Sequence, residues 1–466
     1  MRQVVLELSR VQKNESITIE KIFLILITIF AGVTFVIQPI FSVPDEGAHF
    51  INAYSVFHRE PNSKDLMTYR YPIDSKMYRS FKIIDMYTKK GDYTQDKITW
   101  HLNRGNFQYL PPAIGMLIGQ LIYPSTGVIL SFGRLFNLLF YIIAIYFAIK
   151  KAKFGKWMMA AVALLPMSLQ QAASVSYDVF FYATIFFGFS LMTNLVTYHG
   201  RLKRKDYLPI VLVICSFFLA KQSSLAMLLY FFALPVSLLI PNFFSNTIDV
   251  IWKFFNRHRI VFTAVMLTLF VLFLQFYFRN FGGLTRGLQV LFNSYFRPDI
   301  KQDLDSILVT GIVGIFGVFT HRFPEWFVIL DFIFLFLILL NEKPIRLQNR
   351  FVFTSSMVFL GNIIMVSLTM YTVWTVGVLK QVDNLFSSGE QGRYFTPFLI
   401  CLVPLGIYLK KFIAIKLSDV VFKRLFIGVM VINFIYFVVL TLLFYYSNDR
   451  GVQFIIKFYT WMRGLV

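Results

Sequence analysis

Ile22-Phe23-Leu24-Ile25-Leu26-Ile27-Thr28-Ile29-Phe30-Ala31-Gly32-Val33-Thr34-Phe35-Val36-Ile37-Gln38-Pro39-Ile40-Phe41 runs directly into Ser42-Val43-Pro44-Asp45-Glu46-Gly47-Ala48-His49-Phe50. The first part is an apolar run long enough, at the helical rise, to cross the hydrocarbon core of a bilayer. Arg2, Arg10, Lys13 and Lys21 precede it. It is longer than a signal-peptide core and has no small-residue cleavage site, so it reads as an uncleaved first transmembrane helix. The second part places two carboxylates and an imidazole where that helix leaves the membrane. Most boundary charges are Lys or Arg anchors that snorkel to the interface. An acidic pair beside a histidine is instead suited to proton transfer or metal binding.

Composition agrees with a membrane protein. Of the 466 residues, 57% are hydrophobic and only 15% charged, against about a quarter charged in soluble domains. Phe occurs 55 times. The net charge of +21 is spread over short loops, a pattern of topology and anionic-lipid contact. No basic face with stacking aromatics is assembled, which argues against nucleic acid as a partner. Cys215 and Cys401 both lie in apolar runs, without metal-ligand spacing.

Apolar runs predict about eleven membrane helices, near 22–42, 127–149, 157–173, 178–198, 207–220, 224–240, 259–280, 325–341, 350–374, 394–410 and 424–446. The stretches 110–124 and 307–320 are apolar but short and rich in Gly or Pro, and read as half-buried or re-entrant. The basic segments after residues 149, 200, 252, 342 and 409 all fall on the cytoplasmic side if the N-terminus is inside and 307–320 does not span. The chain is then a single integral membrane domain, 1–466, with its N-terminus on the cytoplasmic side. Loop 43–109, with ten basic and eight acidic residues, is extracytoplasmic and is expected to form interfacial helices. A second outer loop spans 281–324, with the re-entrant segment inside it, and a third spans 375–393.

Were 45–52 helical, Asp45, His49 and Asn52 would share a face and Glu46 would point about 100° away. Pro44-Asp45-Glu46 equally resembles an acidic helix start, in which Asp45 is only a cap. Polar residues at other outer turns converge on the same face of the membrane. They are Arg134 with Asn137 and Tyr141, Asp178, Lys221-Gln222, and Gln391-Gly392-Arg393-Tyr394. Arg134, Lys221 and Arg393 could neutralise a phosphate or pyrophosphate there. Asp331, inside the run Trp326–Leu340, is a candidate for proton relay or pairing, and His321, Arg322 and Glu325 could line the same cavity. His101 and Arg104 are further loop candidates. Walker A, dinucleotide, HExxH and GxSxG motifs are absent.

The stretch Val43-Pro44-Asp45-Glu46-Gly47-Ala48-His49-Phe50 resembles the PDE-x-AH motif of a bacterial family of multispanning proteins of unknown function, themselves similar to the glycosyltransferase-C (GT-C) superfamily. Tyr109-Leu110-Pro111-Pro112, Leu165-Pro166 through Ser176-Tyr177-Asp178, Ala220-Lys221-Gln222 and Gln391-Gly392-Arg393-Tyr394-Phe395 resemble its further motifs in order. The resemblance covers about residues 22 to 446. It implies an all-α GT-C-like bundle that transfers a sugar from a polyprenyl-phosphate donor to an extracytoplasmic glycan or polymer. Asp45 would be the catalytic acidic residue, acting as general base, with Glu46 as its neighbour and His49 orienting or charge-tuning it. Lys221 and Arg393 would bind the lipid phosphate, and Arg134, by its place at the outer mouth, is assigned to the same role. A divalent cation (Mg2+ or Mn2+) would sit on Asp45 if the enzyme is metal-dependent. The family's second carboxylate is expected after Phe316-Gly317, where this chain has Thr320-His321-Arg322. A lipid-linked glycan flippase and a noncatalytic polymer-assembly protein are the alternative readings.

Overall fold

The computed structural model describes residues 18–58, 83–95, 97–198, 200, 202–235, 238, 257–297, 301–413, 415 and 417–446. The central part of loop 43–109 and most of the basic segment after residue 252 lie outside the described residues. The chain is an all-α membrane protein. Helix α1 (Ile19–Ile37) is followed by the short α2 (Glu46–Tyr54) and α3 (Ile83–Thr88), then by α4 (Leu110–Ile122) and the long α5 (Thr126–Lys151). Helices α6 (Lys156–Leu164), α7 (Pro166–Ala172), α8 (Asp178–Val196) and α9 (Arg204–Leu219) lead to a 3-10 segment, Gln222–Ala233. After α10 (Arg259–Phe278), α11 (Gly283–Phe296), α12 (Lys301–Leu308) and α13 (Thr310–Val313) comes a small antiparallel ladder of β1 (Ile315–Phe316) and β2 (His321–Arg322). Helices α14 (Glu325–Asn341), α15 (Asn349–Thr369, continued as a π-helix to Val378), α16 (Val403–Leu409) and α17 (Asp419–Tyr446) complete the bundle.

Among the described residues, five helices are long and apolar enough to cross a membrane: Ile19–Ile37, Thr126–Lys151, Asp178–Val196, Asn349–Val378 and Asp419–Tyr446. Two other expected spans are broken, whereas 259–280 and 325–341 form the continuous helices α10 and α14. The run 157–173 is split at Leu165, because Pro166 has no N–H to continue the ladder and instead starts α7. The run 394–410 begins as a 3-10 helix, Thr396–Leu402, before α16. The stretch 110–124 is a regular helix lying against α5. A Cβ on Gly115 would meet the Phe132 carbonyl oxygen at 2.2 Å, so only glycine permits that approach. The stretch 307–320 forms one helical turn and a hairpin, not a spanning helix.

Aromatic packing joins the first and last helices, with Phe30 and Phe434 stacked at 4.1 Å between ring centres. The two ends of the bundle differ in chemistry. At one end, Lys150 and Lys151 close α5, where cations suit the helix dipole, and Lys156 pairs with Glu20. At the other, the turn before α2, the start of α8, the end of α9 and the turn before the 3-10 helix Thr396–Leu402 meet.

Candidate active site

The chain leaves α1 through Gln38-Pro39-Ile40 and turns sharply, with Phe41 and Asp45 both at positive φ. Asp45 occupies the N-cap position of α2 at φ 63° and ψ 8°, yet its side chain makes no capping hydrogen bond. A non-glycine residue in this region costs about 1–2 kcal/mol. The twist turns the carboxylate away from the helix end and toward Arg393, which donates to Oδ2 at 2.7 Å. Asp45 therefore caps α2 only through its backbone carbonyl, which accepts from the His49 N–H at 2.9 Å, and its side chain takes no part in capping. His49 and Asn52 share a face of α2 as expected.

Arg393 is the centre of the cluster. Its side chain is 4% exposed, and its Nε lies 3.2 Å from Asp178 Oδ2. It also donates to the Pro44 carbonyl at 3.3 Å. Lys221 forms an ion pair with Asp178 Oδ1 and lies 3.8 Å above the centre of the Tyr394 ring. Tyr177 supplies a second ring face at 4.8 Å. Two cations thus balance two carboxylates. Asp178 is enclosed, whereas the Asp45 side chain is 42% exposed. Burial pushes Lys221 down to about 8, against the pull of Asp178. Asp178 is held in place because Asn137 Nδ2 donates to the Ser174 and Ser176 carbonyls at 2.7 and 2.9 Å, clamping the turn before α8.

Gly392, next to Arg393, makes a close backbone approach to Gly311. A Cβ there would meet the Gly311 carbonyl carbon at 2.0 Å and the Ile312 nitrogen at 2.5 Å. That approach locks the 3-10 turn Gly392–Tyr394 against α13, and Thr396 Oγ1 donates to the Ile312 carbonyl at 2.8 Å.

Other expected residues are placed differently. Glu46 and Arg134 form a closed pair, 2.6 Å between Oε2 and Nη2, with both side chains buried. Arg134 Nε donates to Glu46 Oε1, and its two Nη atoms donate to the Gln38 and Pro39 carbonyls. Arg134 therefore clamps the α1–α2 turn and does not face a phosphate, and Glu46 is its counter-ion. His49 Nδ1 is 2.8 Å from the Tyr109 hydroxyl, which Asn52 also approaches at 3.4 Å. Burial lowers the His49 pKa to about 4, leaving a neutral ring at pH 7. Asp45 is oriented by Arg393, while His49 bonds Tyr109. Tyr141 donates to the Ala163 carbonyl. Asp331 accepts from Asn433 of α17 at 2.7 Å and is no part of the cluster. His101 contacts Thr99, two residues before it.

The cluster adjoins two connected spaces. A cleft of about 620 Å3 is lined by Ser306, Thr320, His321, Arg322, Glu390 and Gln391, among others. A much narrower pocket of about 10 Å3 shares Ser306 and Gln391 with it and reaches Pro44, Gln170, Gln171 and Arg393. Glu390 is held by Ser367 and Tyr295, at 2.5 and 2.7 Å. The sequence reasoning missed the pair Gln170-Gln171, although two carboxamides inside an apolar run were a visible signal.

A divalent cation does not fit the residues present. No group of three or more His, Cys, Asp or Glu side chains with suitable geometry occurs among the described residues. Asp45 already faces Arg393, with Lys221 behind it, and His49 is engaged with Tyr109. Where a second acid was expected the chain has Thr320, and the second carboxylate of the cluster is Asp178, paired with Arg393 and Lys221.

The family model described as predicted membrane protein (DUF2142) matches residues 27–402, which include every residue of the cluster. The chain belongs to that family. No curated protein and no solved structure matches it.

Proposed function

For this member of a membrane-protein family, we propose a GT-C-type glycosyltransferase that moves a sugar from a polyprenyl-phosphate donor to an extracytoplasmic acceptor. The observation that carries the reading is Asp45. It is the half-exposed carboxylate of an otherwise enclosed cluster, set on a strained backbone beside two cations and close to a substrate-sized cleft. Charge arrangements of this kind are typical of functional sites. The GT-C resemblance of the Pro44-Asp45-Glu46-Gly47-Ala48-His49 motif supports the same assignment.

In the proposed reaction, Asp45 takes the proton of an acceptor hydroxyl as its oxygen bonds to the anomeric carbon. The bond between that carbon and the phosphate oxygen breaks, and its electron pair stays on the phosphate. The polyprenyl phosphate leaves with one more negative charge than it had in the donor. Lys221 and Arg393 stabilise that developing charge, which is where preorganised cations act most strongly. The basic end of the bundle then faces the cytoplasm, with the N-terminus inside.

The test is glycan composition and linkage analysis in cells carrying the wild-type gene, a deletion, or Asp45→Asn at equal protein level. Loss of one sugar in both mutants, with accumulation of its polyprenyl-phosphate donor, is expected. Wild-type glycan in the Asp45→Asn strain would remove Asp45 from the chemistry and favour transport or assembly.

A further inference from the structure

Gln171 is 1% exposed, and neither its Nε2 nor its Oε1 has a hydrogen-bond partner. Its neighbour Gln170 is fully occupied: Nε2 donates to the Gly317 carbonyl at 3.2 Å, and Oε1 accepts from the Gly317 N–H at 3.2 Å. Gln171 lines the narrow pocket between Arg393 and the large cleft. Gln391 also lines it and has its own Oε1 unpartnered. A buried amide with both ends unmatched is rare, because each unpaired group forfeits its hydration.

The pocket, at about 10 Å3, admits roughly one water-sized group. The group that suits it must donate to Oε1 and accept from Nε2. A hydroxyl does both, whereas a phosphate oxygen at neutral pH only accepts. A phosphate is in any case better matched to Arg393 and Lys221. The cleft is large enough for one or more saccharide rings.

We propose that Gln171 is a specificity-determining residue that reads one hydroxyl of a saccharide lying in the cleft, by inserting that hydroxyl into the narrow pocket. This rests on the glycosyltransferase reading and deepens it, by assigning sugar recognition to the space between Gln171 and Gln391. Gln170 is a positioning residue, since its amide is bound to Gly317 and keeps the adjoining turn in place.

Binding to the full-length protein in lipid nanodiscs tests the assignment. The probes are a short-chain polyprenyl-phosphate hexose, its four monodeoxy analogues, and the same polyprenyl phosphate without sugar. For the wild type, one deoxy analogue is expected to bind at least tenfold more weakly than the parent. In Gln171→Met, which keeps the volume but removes the amide, the parent weakens to match that analogue and the deoxy penalty disappears. Binding of the sugar-free phosphate stays unchanged in Gln171→Met, which shows that the variant is folded. Gln171→Asn, which keeps the amide one methylene short, serves as a second variant and is expected to show the same loss of discrimination. An unchanged deoxy penalty in both variants overturns the role of Gln171 while leaving the transferase reading intact. Absence of binding of every probe to the wild type overturns the transferase reading and the assignment with it.

Discussion

Asp45 and Asp178 share one arginine, yet their removal should have opposite consequences. Asp178 is 1% exposed and is flanked by Arg393 Nε at 3.2 Å and by the Lys221 ammonium. Asp178→Asn preserves shape but leaves two enclosed cations facing a neutral amide, and breaking a buried ion pair in this way costs about 3–5 kcal/mol. Asp45 is 42% exposed and makes a single contact to Arg393. After solvent screening, that contact is worth about 0–1 kcal/mol. Asn also tolerates the left-handed backbone at this position, so Asp45→Asn introduces no new strain. The two variants should therefore differ in stability by about 3 kcal/mol, roughly a hundredfold in the ratio of folded to unfolded protein. Unfolding of the purified protein in detergent, followed at one pH for both variants, measures the difference. The expected pattern is a stable, inactive Asp45→Asn and a markedly destabilised Asp178→Asn. Equal losses within about 1 kcal/mol, or a less stable Asp45→Asn, would refute the division between an enclosed structural carboxylate and an accessible chemical one.

Three other outcomes follow from the packing and charge. Gly392→Ala would drive a methyl group into the Gly311 backbone and displace Arg393, so activity should fall at least tenfold, measured as sugar transfer at matched protein level. Burial holds His49 near 4, below its ordinary value, so the unfolded chain takes up the proton first. The stability this contributes is full above about pH 6.5 and is lost as the pH falls toward 4, by up to ~3 kcal/mol. Replacing His49 by Gln should flatten the fall of the thermal midpoint across that window. Arg134→Met, which strands the Glu46 carboxylate, should cost about 3–5 kcal/mol, and the double variant with Glu46→Leu should recover much of it in the same unfolding assay.

Much of the site could be read from the chain because its charges interrupt apolar sequence. Asp45, Asp178, Lys221 and Arg393 each stand at the edge of an apolar run, and the bundle brings those edges together. Partner choice was not legible. Arg134 and Glu46 are 88 positions apart, and nothing local distinguishes a closed pair from an open phosphate site. Helix continuity was also misread at 157–173, where hydropathy outweighed the known effect of Pro166. The left-handed turn at Asp45 escaped because the partner its carboxylate meets there, Arg393, is 348 positions along the chain. Gln171 carries no charge, and its significance depends on a pocket that only folding creates.

Under the proposed sugar transfer, the balance of two cations against two carboxylates would bear on turnover. A polyprenyl phosphate entering this site would compete with a carboxylate already tethered there, and tethered groups act at effective concentrations on the order of millimolar. Asp45, at the exposed rim, is the side chain able to yield. Donor capture would release it to meet the acceptor hydroxyl, and its return to Arg393 would help expel the spent lipid. The same side chain would then act as base and as internal competitor, making the site receptive to the donor without retaining the product.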